Sequence, residues 1–331
     1  MTRSLPVSLA DIKAAARLLD GVAKRTPLLR LPLDGEVYVK PESLQRTGSF
    51  KFRGAYNALA STPREQIERG VIADSSGNHA QGVAAAASLL GVQATIVMPE
   101  NAVPLKVLRT AAWGVEIVRC ANSSDSRERM VAEIGAERGL EYIPPFDDAR
   151  IIAGQGTVGL EIAESLAEVA AVVVPVGGGG LISGVATAVK ALCPGVRVIG
   201  VEPELAADAR ESLREGRIVR WRAEDVVRTV CDGVRSQALG ELTFAAISAL
   251  VDEIVTVPDE AVLEAMRWLA LEAKLVVEPT AALTLAVVQT GAVAIEGPTV
   301  LIVSGGNVDP GLVPGSGLPC SVSADFLCWL D

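Results

Sequence analysis

From Val71 onward, short runs of β-branched residues alternate with longer alanine-rich stretches, and nothing else in the chain constrains its fold as strongly. Val71-Ile-Ala precedes a helical stretch over 80–90, Ala94-Thr-Ile-Val-Met one over 104–113, and Val115-Glu-Ile-Val one over 126–138. Leu140-Glu-Tyr-Ile leads toward 157–166, Ala171-Val-Val-Val toward 181–192, and Val196-Arg-Val-Ile-Gly-Val follows. Strand then helix, repeated, predicts an α/β protein of open parallel sheets covered by helices on both faces. In such sheets ligands gather beyond the carboxyl ends of the strands. No Ser/Gly-rich linker divides the chain, but the strands before Pro145 suffice for a smaller sheet of their own, which predicts two lobes with a cleft between them.

Composition removes several classes of function. Half of the 331 residues are apolar, too many for a disordered chain, and no sustained repeat supports a collagen-like or coiled-coil one. Thirty basic against 40 acidic residues give a net charge of −10. Such a surface repels phosphate backbones, so no nucleic-acid partner is expected. With His79 as the only histidine, a zinc site built on two or three imidazoles is impossible, and any histidine triad would depend on that one ring. The five cysteines, Cys120, Cys193, Cys231, Cys320 and Cys328, are far apart and odd in number, which fits a reducing compartment. The start reaches Asp11 and Lys13 too soon for a signal-peptide core, and Pro, Gly or Glu278 interrupt the apolar stretches over 169–182 and 275–295. A cytoplasmic protein without a membrane partner is the expectation. The stretch 310–331, rich in Gly, Pro and Ser, reads as loosely packed, with Phe326 and Trp329 available as anchors.

Four loops carry chemistry. In Thr47-Gly-Ser-Phe-Lys51-Phe-Arg-Gly-Ala a lysine stands between aromatics just before a helix. It is either a desolvated Schiff-base nucleophile or a surface lysine whose stem packs on Phe50 and Phe52. Ser75-Ser76-Gly77-Asn78-His79 follows a strand and opens a helix, where amides and hydroxyls either hold an anion or simply cap the helix. Gly177-Gly178-Gly179-Gly180 follows the strand over 172–176. Four glycines in a row let backbone amides wrap a phosphate, and a plain turn needs only one or two. Ser304-Gly305-Gly306-Asn307 puts a small hydroxyl at the end of the strand over 300–303, or makes a turn. Together the loops offer a nucleophilic lysine, a phosphate cradle, a carboxylate cradle and a neutral hydroxyl. Pyridoxal phosphate acting on an amino acid would use all four.

These stretches also resemble a known family, the fold-type II pyridoxal-phosphate enzymes of the threonine/serine dehydratase and serine racemase group. The resemblance runs from about Leu9 to Asp309 and rests on Ser49-Phe-Lys-Phe-Arg-Gly-Ala, Ser76-Gly-Asn-His, Ile152-Ala-Gly-Gln-Gly-Thr, the four glycines, Asp232-Gly-Val and Ser304-Gly-Gly-Asn. It implies a tryptophan-synthase-β-like architecture, with 1–65 and 148–331 as the large cofactor-binding domain and 66–147 as a small mobile domain. It further implies that Lys51 links to the cofactor aldehyde and removes the α-proton, that Phe50 flanks the ring, and that Asn78 hydrogen-bonds the phenolic oxygen. Gly177, Gly178, Gly179 and Gly180 would hold the phosphate and Ser304 the pyridine nitrogen. Ser75, Ser76, Asn78 and His79 would hold the substrate carboxylate.

Within the group, Ser76 stands where racemases carry a serine and simple threonine dehydratases usually carry alanine, so it is either a second acid/base or a helix cap. Glu202-Pro-Glu-Leu-Ala206-Ala-Asp208 matches the racemase-type cation loop, in which Glu202, Asp208 and the Ala206 carbonyl would bind Mg²⁺ or Ca²⁺; an acidic turn is the alternative. Arg127 matches an arginine near the substrate entrance and would suit a second substrate carboxylate, or it is an ordinary helix-surface residue. Ser236 sits near a substrate-contacting position with its spacing off by one, and Cys231 replaces an alanine usual before Asp-Gly. The chain ends soon after Asn307, so no isoleucine-sensing domain is expected, while a homodimer is. The implied activity is β-elimination of L-threonine or L-serine to a 2-oxo acid and ammonia. Serine racemase, threo-3-hydroxyaspartate dehydratase, a β-replacement synthase and a non-catalytic phosphate-ligand binder are the alternatives.

Overall fold

The computed structural model describes residues 5–75, 77–122 and 124–312. Before the first sheet, α1 (Leu9–Leu19) begins at a capping box in which Ser8 and Asp11 satisfy each other's first-turn groups. Strands β1 (Leu29–Arg30) and β2 (Val37–Pro41) and helix α2 (Lys51–Ser61) come next. The predicted alternation then appears as β3 (Val71–Asp74), α3 (Asn78–Leu90), β4 (Ala94–Pro99), α4 (Pro104–Ala111), β5 (Glu116–Cys120), α5 (Ser124–Arg138) and β6 (Glu141–Tyr142). It continues through α6 (Ala149–Ser165), β7 (Ala171–Pro175), α7 (Gly180–Leu192), β8 (Arg197–Pro203), α8 (Asp208–Glu215), α9 (Ala223–Val226) and α10 (Glu241–Leu250). The chain closes its second sheet with β9 (Glu253–Val257), α11 (Asp259–Leu271), α12 (Pro279–Gln289) and β10 (Thr299–Val303).

Two sheets result. The smaller has the order β5-β4-β3-β6 and is parallel throughout, and the larger runs β1-β2-β10-β7-β8-β9. All pairs of the larger sheet are parallel except β1 with β2, an antiparallel edge that the alternating pattern does not announce because β1 is only two residues long. Strands β3, β4, β7 and β10 are buried at every position, as strands covered on both faces must be. Helix α6 starts at Ala149, eight residues before the helical stretch expected from the apolar pattern, because Asp148 caps it by accepting from the amide of Arg150 at 2.7 Å.

Helices α2, α6 and α7 meet almost backbone to backbone. A Cβ on Gly154 would lie 2.6 Å from the Cα of Gly54, and one on Gly184 would lie 2.3 Å from the carbonyl of Ile152. The glycines of the Ile152-Ala-Gly-Gln-Gly-Thr stretch thus serve packing. Helix α2 falls within the segment assigned by resemblance to the large domain, yet it supplies Ala55, Ala58 and Leu59 to the core under the smaller sheet. Cys120, Cys193 and Cys231 are buried free thiols. Among the described residues no helix is long and apolar enough to cross a membrane. The expected anchors Phe326 and Trp329, and Ser76, lie outside the described residues.

Candidate active site

The carboxyl ends of β3, β7 and β10 carry the three loops singled out in the sequence, and the start of α2 carries the fourth. An isolated bridge joins Ser49 to Gly305, and the amide of Phe50 donates to the carbonyl of Ser304 at 3.1 Å. The lysine loop and the serine loop therefore form one surface. Phe50 caps α2 and Lys51 is the helix's first residue. The Lys51 ammonium donates to the carbonyl of Pro145 at 2.5 Å and lies 5.4 Å from the centroid of the Phe50 ring. Burial lowers its pKa to about 8, which leaves part of the population as free amine near neutral pH.

His79, in the first turn of α3, is 3 % exposed. Its Nε2 is 2.9 Å from the carbonyl of Ile143, an acceptor, so Nε2 carries the proton. Nδ1 is buried with no hydrogen-bond partner among the described residues. Burial, and then the nearby Lys51 ammonium, push the imidazole down to about 4. Because the folded value lies below the ordinary 6.5, this group adds stability as pH rises from about 4 to 6.5 and costs it in acid. As the chain's one histidine it gives one set of imidazole signals, and we expect those signals in ¹H–¹⁵N NMR to stay those of the neutral ring from about pH 8 down to 5. A midpoint near the ordinary value would show a solvated ring instead.

The four glycines connect β7 to α7; a side chain would clash at Gly178 and Gly179 and be tight at Gly177 and Gly180. A Cβ on Gly178 would sit 2.2 Å from the Phe146 ring, one on Gly177 3.0 Å from the Cα of Val234, and one on Gly180 3.1 Å from the Cα of Phe146. Gly179 has φ +88° and is crowded by Thr243. The Thr243 hydroxyl donates to the carbonyl of Gly178 at 2.8 Å. In turn α10 is capped by Asp147, which accepts from the amides of Glu241, Leu242 and Thr243 at 3.0–3.2 Å. The loop is thus a rigid turn that ends on the amino terminus of a 13-residue helix, an arrangement suited to a phosphate.

Ser304 is 2 % exposed and its Oγ has no hydrogen-bond partner among the described residues. A buried hydroxyl without a partner costs free energy unless something else bonds to it, so this atom fits the ring nitrogen of a pyridine cofactor. The glycine cradle and the depressed Lys51 fit that cofactor's phosphate and aldehyde in the same way. Asn78 donates from Nδ2 to Oε1 of Glu278 at 2.7 Å, and its Oδ1 accepts from Nδ2 of Asn307 at 2.8 Å. Ser75 shapes the turn before α3, its Oγ accepting from the amide of Gly77 at 3.1 Å.

The remaining expected residues have partners of their own or lie in neighbouring turns. Arg127 pairs through Nε with Asp74 at 2.9 Å, and Tyr142 also donates to Asp74, at 2.7 Å. Its charge is therefore already matched at the end of β3. Ser236 is half-buried between the turn Asp232–Val234 and α10. Glu202, Ala206 and Asp208 are buried where β8 leads into α8. Glu202 accepts from the amides of Ala209 and Arg210 at 3.0 and 2.7 Å, while both carboxylate oxygens of Asp208 lack hydrogen-bond partners among the described residues. Burial raises Asp208 to about 7, and burial together with Asp208 raises Glu202 well above the carboxylate range. Among the described residues no group of three or more His, Cys, Asp or Glu side chains is placed to hold a metal.

Sequence reasoning missed Pro145, Phe146, Asp147, Thr243 and Glu278. Only Glu278 left a signal, as a lone acid inside an apolar run just before Pro279.

A family model described as "Pyridoxal-phosphate dependent enzyme" matches residues 19–305. The chain is 44% identical over 305 residues to an L-threo-3-hydroxyaspartate ammonia-lyase of Saccharomyces cerevisiae, covering 90% of this chain and 93% of that protein. It is 39% identical to a serine racemase of Schizosaccharomyces pombe, with 90% and 94% covered. A crystal structure of a T.th. threonine deaminase superposes with a TM-score of 0.86 at 46% identity, covering 91% of this chain and 98% of that one.

Proposed function

Since the chain belongs to the pyridoxal-phosphate dependent enzymes, we propose that it is an ammonia-lyase that removes the β-hydroxyl and amino groups of L-threonine or L-serine to give a 2-oxo acid and ammonia. The observation that carries this reading is Lys51, a lysine of lowered pKa at the first turn of α2, on the same surface as the partnerless Ser304 hydroxyl. When bound, the cofactor supplies an electron sink for the carbanion left at Cα.

The protein's own part follows from its groups. The Gly177–Gly180 amides and the α7 terminus would hold the phosphate, with the Gly178 carbonyl tied to the Thr243 hydroxyl. Ser304 would meet the ring nitrogen as a neutral hydroxyl and would not keep it protonated. That would weaken the sink and favour a substrate whose β-group departs quickly. Lys51 would hold the cofactor at its aldehyde and would take the α-proton on Nζ, a role open to an amine that is part-neutral near pH 7. Ser75 and the backbone amides at the start of α3, that of Asn78 included, would receive the substrate carboxylate, leaving the Asn78 carboxamide to the cofactor. His79, neutral and held by Ile143, supports that turn without adding a charge.

Two finer readings belong to the same proposal. A hard divalent cation, Mg²⁺ or Ca²⁺, held by Asp208, Glu202 and the Ala206 carbonyl would relieve two buried carboxylates, and the partnerless oxygens of Asp208 support it. The alternative of racemisation rests on Ser76 and is supported by the similarity to a serine racemase.

One experiment tests these readings together: product analysis of cofactor-loaded protein with L-serine, L-threonine and 3-hydroxyaspartate, with Mg²⁺ and then with chelator. We expect 2-oxo acid and ammonia from L-threonine or L-serine, with a fall in rate and melting temperature on chelation. D-serine as the main product would replace the lyase by a racemase. A preference for 3-hydroxyaspartate would move the substrate class, and indifference to chelation would leave Glu202 and Asp208 as an acidic turn.

A further inference from the structure

Asn78 is one link in a chain of side-chain amides whose direction is set at both ends. Arg109 of α4 can only donate, and its Nη1 donates to Oδ1 of Asn307 at 2.9 Å. With its oxygen fixed there, Asn307 presents its nitrogen to the other side. That nitrogen donates to the carbonyl of Thr47 at 2.9 Å and to Oδ1 of Asn78 at 2.8 Å, which uses both hydrogens. The Asn78 oxygen is thereby turned toward Asn307. Its nitrogen points the other way and gives one hydrogen to Oε1 of Glu278 at 2.7 Å, so one hydrogen remains.

Glu278 is 2 % exposed and stands at the N-cap of α12, tied down by its own amide donating to the carbonyl of Gly305 at 3.2 Å. A Cβ on Gly305 would lie 2.4 Å from its Oε1, so the carboxyl occupies space that only a glycine leaves open there. Burial raises its affinity for a proton, and of the charged groups that face it Asp232 adds to that and Lys106 opposes it. Its Oε2 has no hydrogen-bond partner among the described residues. A proton taken up there leaves Oε1 an acceptor, so the chain keeps its direction whether Glu278 is charged or neutral.

We infer that Glu278 and Arg109 are positioning residues that fix the Asn78 carboxamide from opposite ends, so that its remaining amide hydrogen is presented to the phenolic oxygen of bound pyridoxal phosphate. The inference rests on the cofactor reading given above.

The test is pyridoxal phosphate titrated into apoprotein, read as affinity and as the visible band of the Lys51-linked cofactor, with apoprotein melting measured in parallel. Asn307→Asp keeps the partner of Arg109 but cannot donate to Asn78, and so reverses the chain. We expect about tenfold weaker binding and a loss of visible absorbance to the near-ultraviolet. Glu278→Leu, which removes the acceptor, should do the same, while Glu278→Gln keeps an acceptor and should bind within about threefold of wild type. Wild-type affinity and spectrum in both Asn307→Asp and Glu278→Leu would overturn the inference. So would equal losses in Glu278→Gln and Glu278→Leu that follow only their melting temperatures. A wild-type protein with no Lys51-dependent band would instead remove the cofactor reading, and this inference with it.

Discussion

Replacing Lys51 by alanine is expected to lower elimination from L-threonine and L-serine by about 10²–10⁴-fold or more, the range associated with losing a positioned proton acceptor. The effect should be this large because a single nitrogen is asked both to bond the cofactor aldehyde and to take the α-proton. Burial is the cause of its lowered pKa, and a carbonyl and an aromatic face hold it in place rather than a carboxylate. A carboxylate partner would have kept it an ammonium. Lys51→Arg separates the two explanations. It retains a cation beside Pro145 but does not deprotonate near neutral pH, so it should be as inactive as Lys51→Ala if the free amine does the work. Retained turnover in Lys51→Ala, measured after exhaustive dialysis against cofactor-free buffer and reloading, would sink the proposed function.

The largest effect on stability is expected two residues further along α2. Arg53 is 1 % exposed and its guanidinium forks onto two carboxylates: Nε and Nη2 reach Glu42 at 2.7 and 2.8 Å, and Nη1 and Nη2 reach Glu161 at 2.6 and 3.0 Å. Lys40 bonds Glu161 at 2.5 Å, and Thr26 donates to Glu42 at 2.6 Å. Two positive and two negative side chains thus fasten the start of α2 to the end of β2 and the middle of α6. Burial alone would push the Glu42 carboxyl up, but Arg53 and Lys40 outweigh it and hold it below its ordinary value. Arg53→Met strips Glu42 of its bidentate partner in a site with no exposure, and we expect a loss of about 3–5 kcal/mol in denaturant unfolding.

The same cluster should make stability depend on pH. Glu42 has a lowered folded pKa, so its contribution is present above the unfolded value of 4.5 and fades in acid. The gap between wild type and Arg53→Met should therefore be widest at neutral pH and narrow as pH falls and the carboxyls take up protons. Adding Glu42→Gln to Arg53→Met should recover part of the loss, because a neutral amide needs no counter-charge. A difference below about 1 kcal/mol at pH 7 would mean that water or a rearranged lysine replaces the guanidinium.

The parts of this molecule that were legible in the sequence are those encoded by local periodicity or by short contiguous strings. The alternation from Val71 to Val201 could be read as parallel sheets because a strand buried on both faces needs unbroken apolar residues and its crossover helix needs a long amphipathic stretch. The glycine run, the lysine between aromatics and the serine after β10 could be read because each lies in a contiguous motif beside a strand or helix end. Less was legible where the signal is spread over distance. The short β1 strand carries no period, and the early start of α6 depends on one capping aspartate. Arg127 is a further case: its pairing with Asp74, 53 residues away in the chain, leaves no local trace in the sequence.

Fold class, family and the motif of the lysine proposed to act were all written in the chain, because they follow from patterning and from strings long enough to exclude chance. Which groups surround that lysine, and in what state, emerged only once the chain was folded. Pro145 comes to it from 94 residues away, and Glu278 reaches Asn78 across 200. Burial in that assembled neighbourhood leaves Lys51 with a lowered pKa and His79 neutral. Both pKa values and amide orientations depend on desolvation and hydrogen-bond partners, which belong to a three-dimensional neighbourhood and leave no periodic trace in the chain.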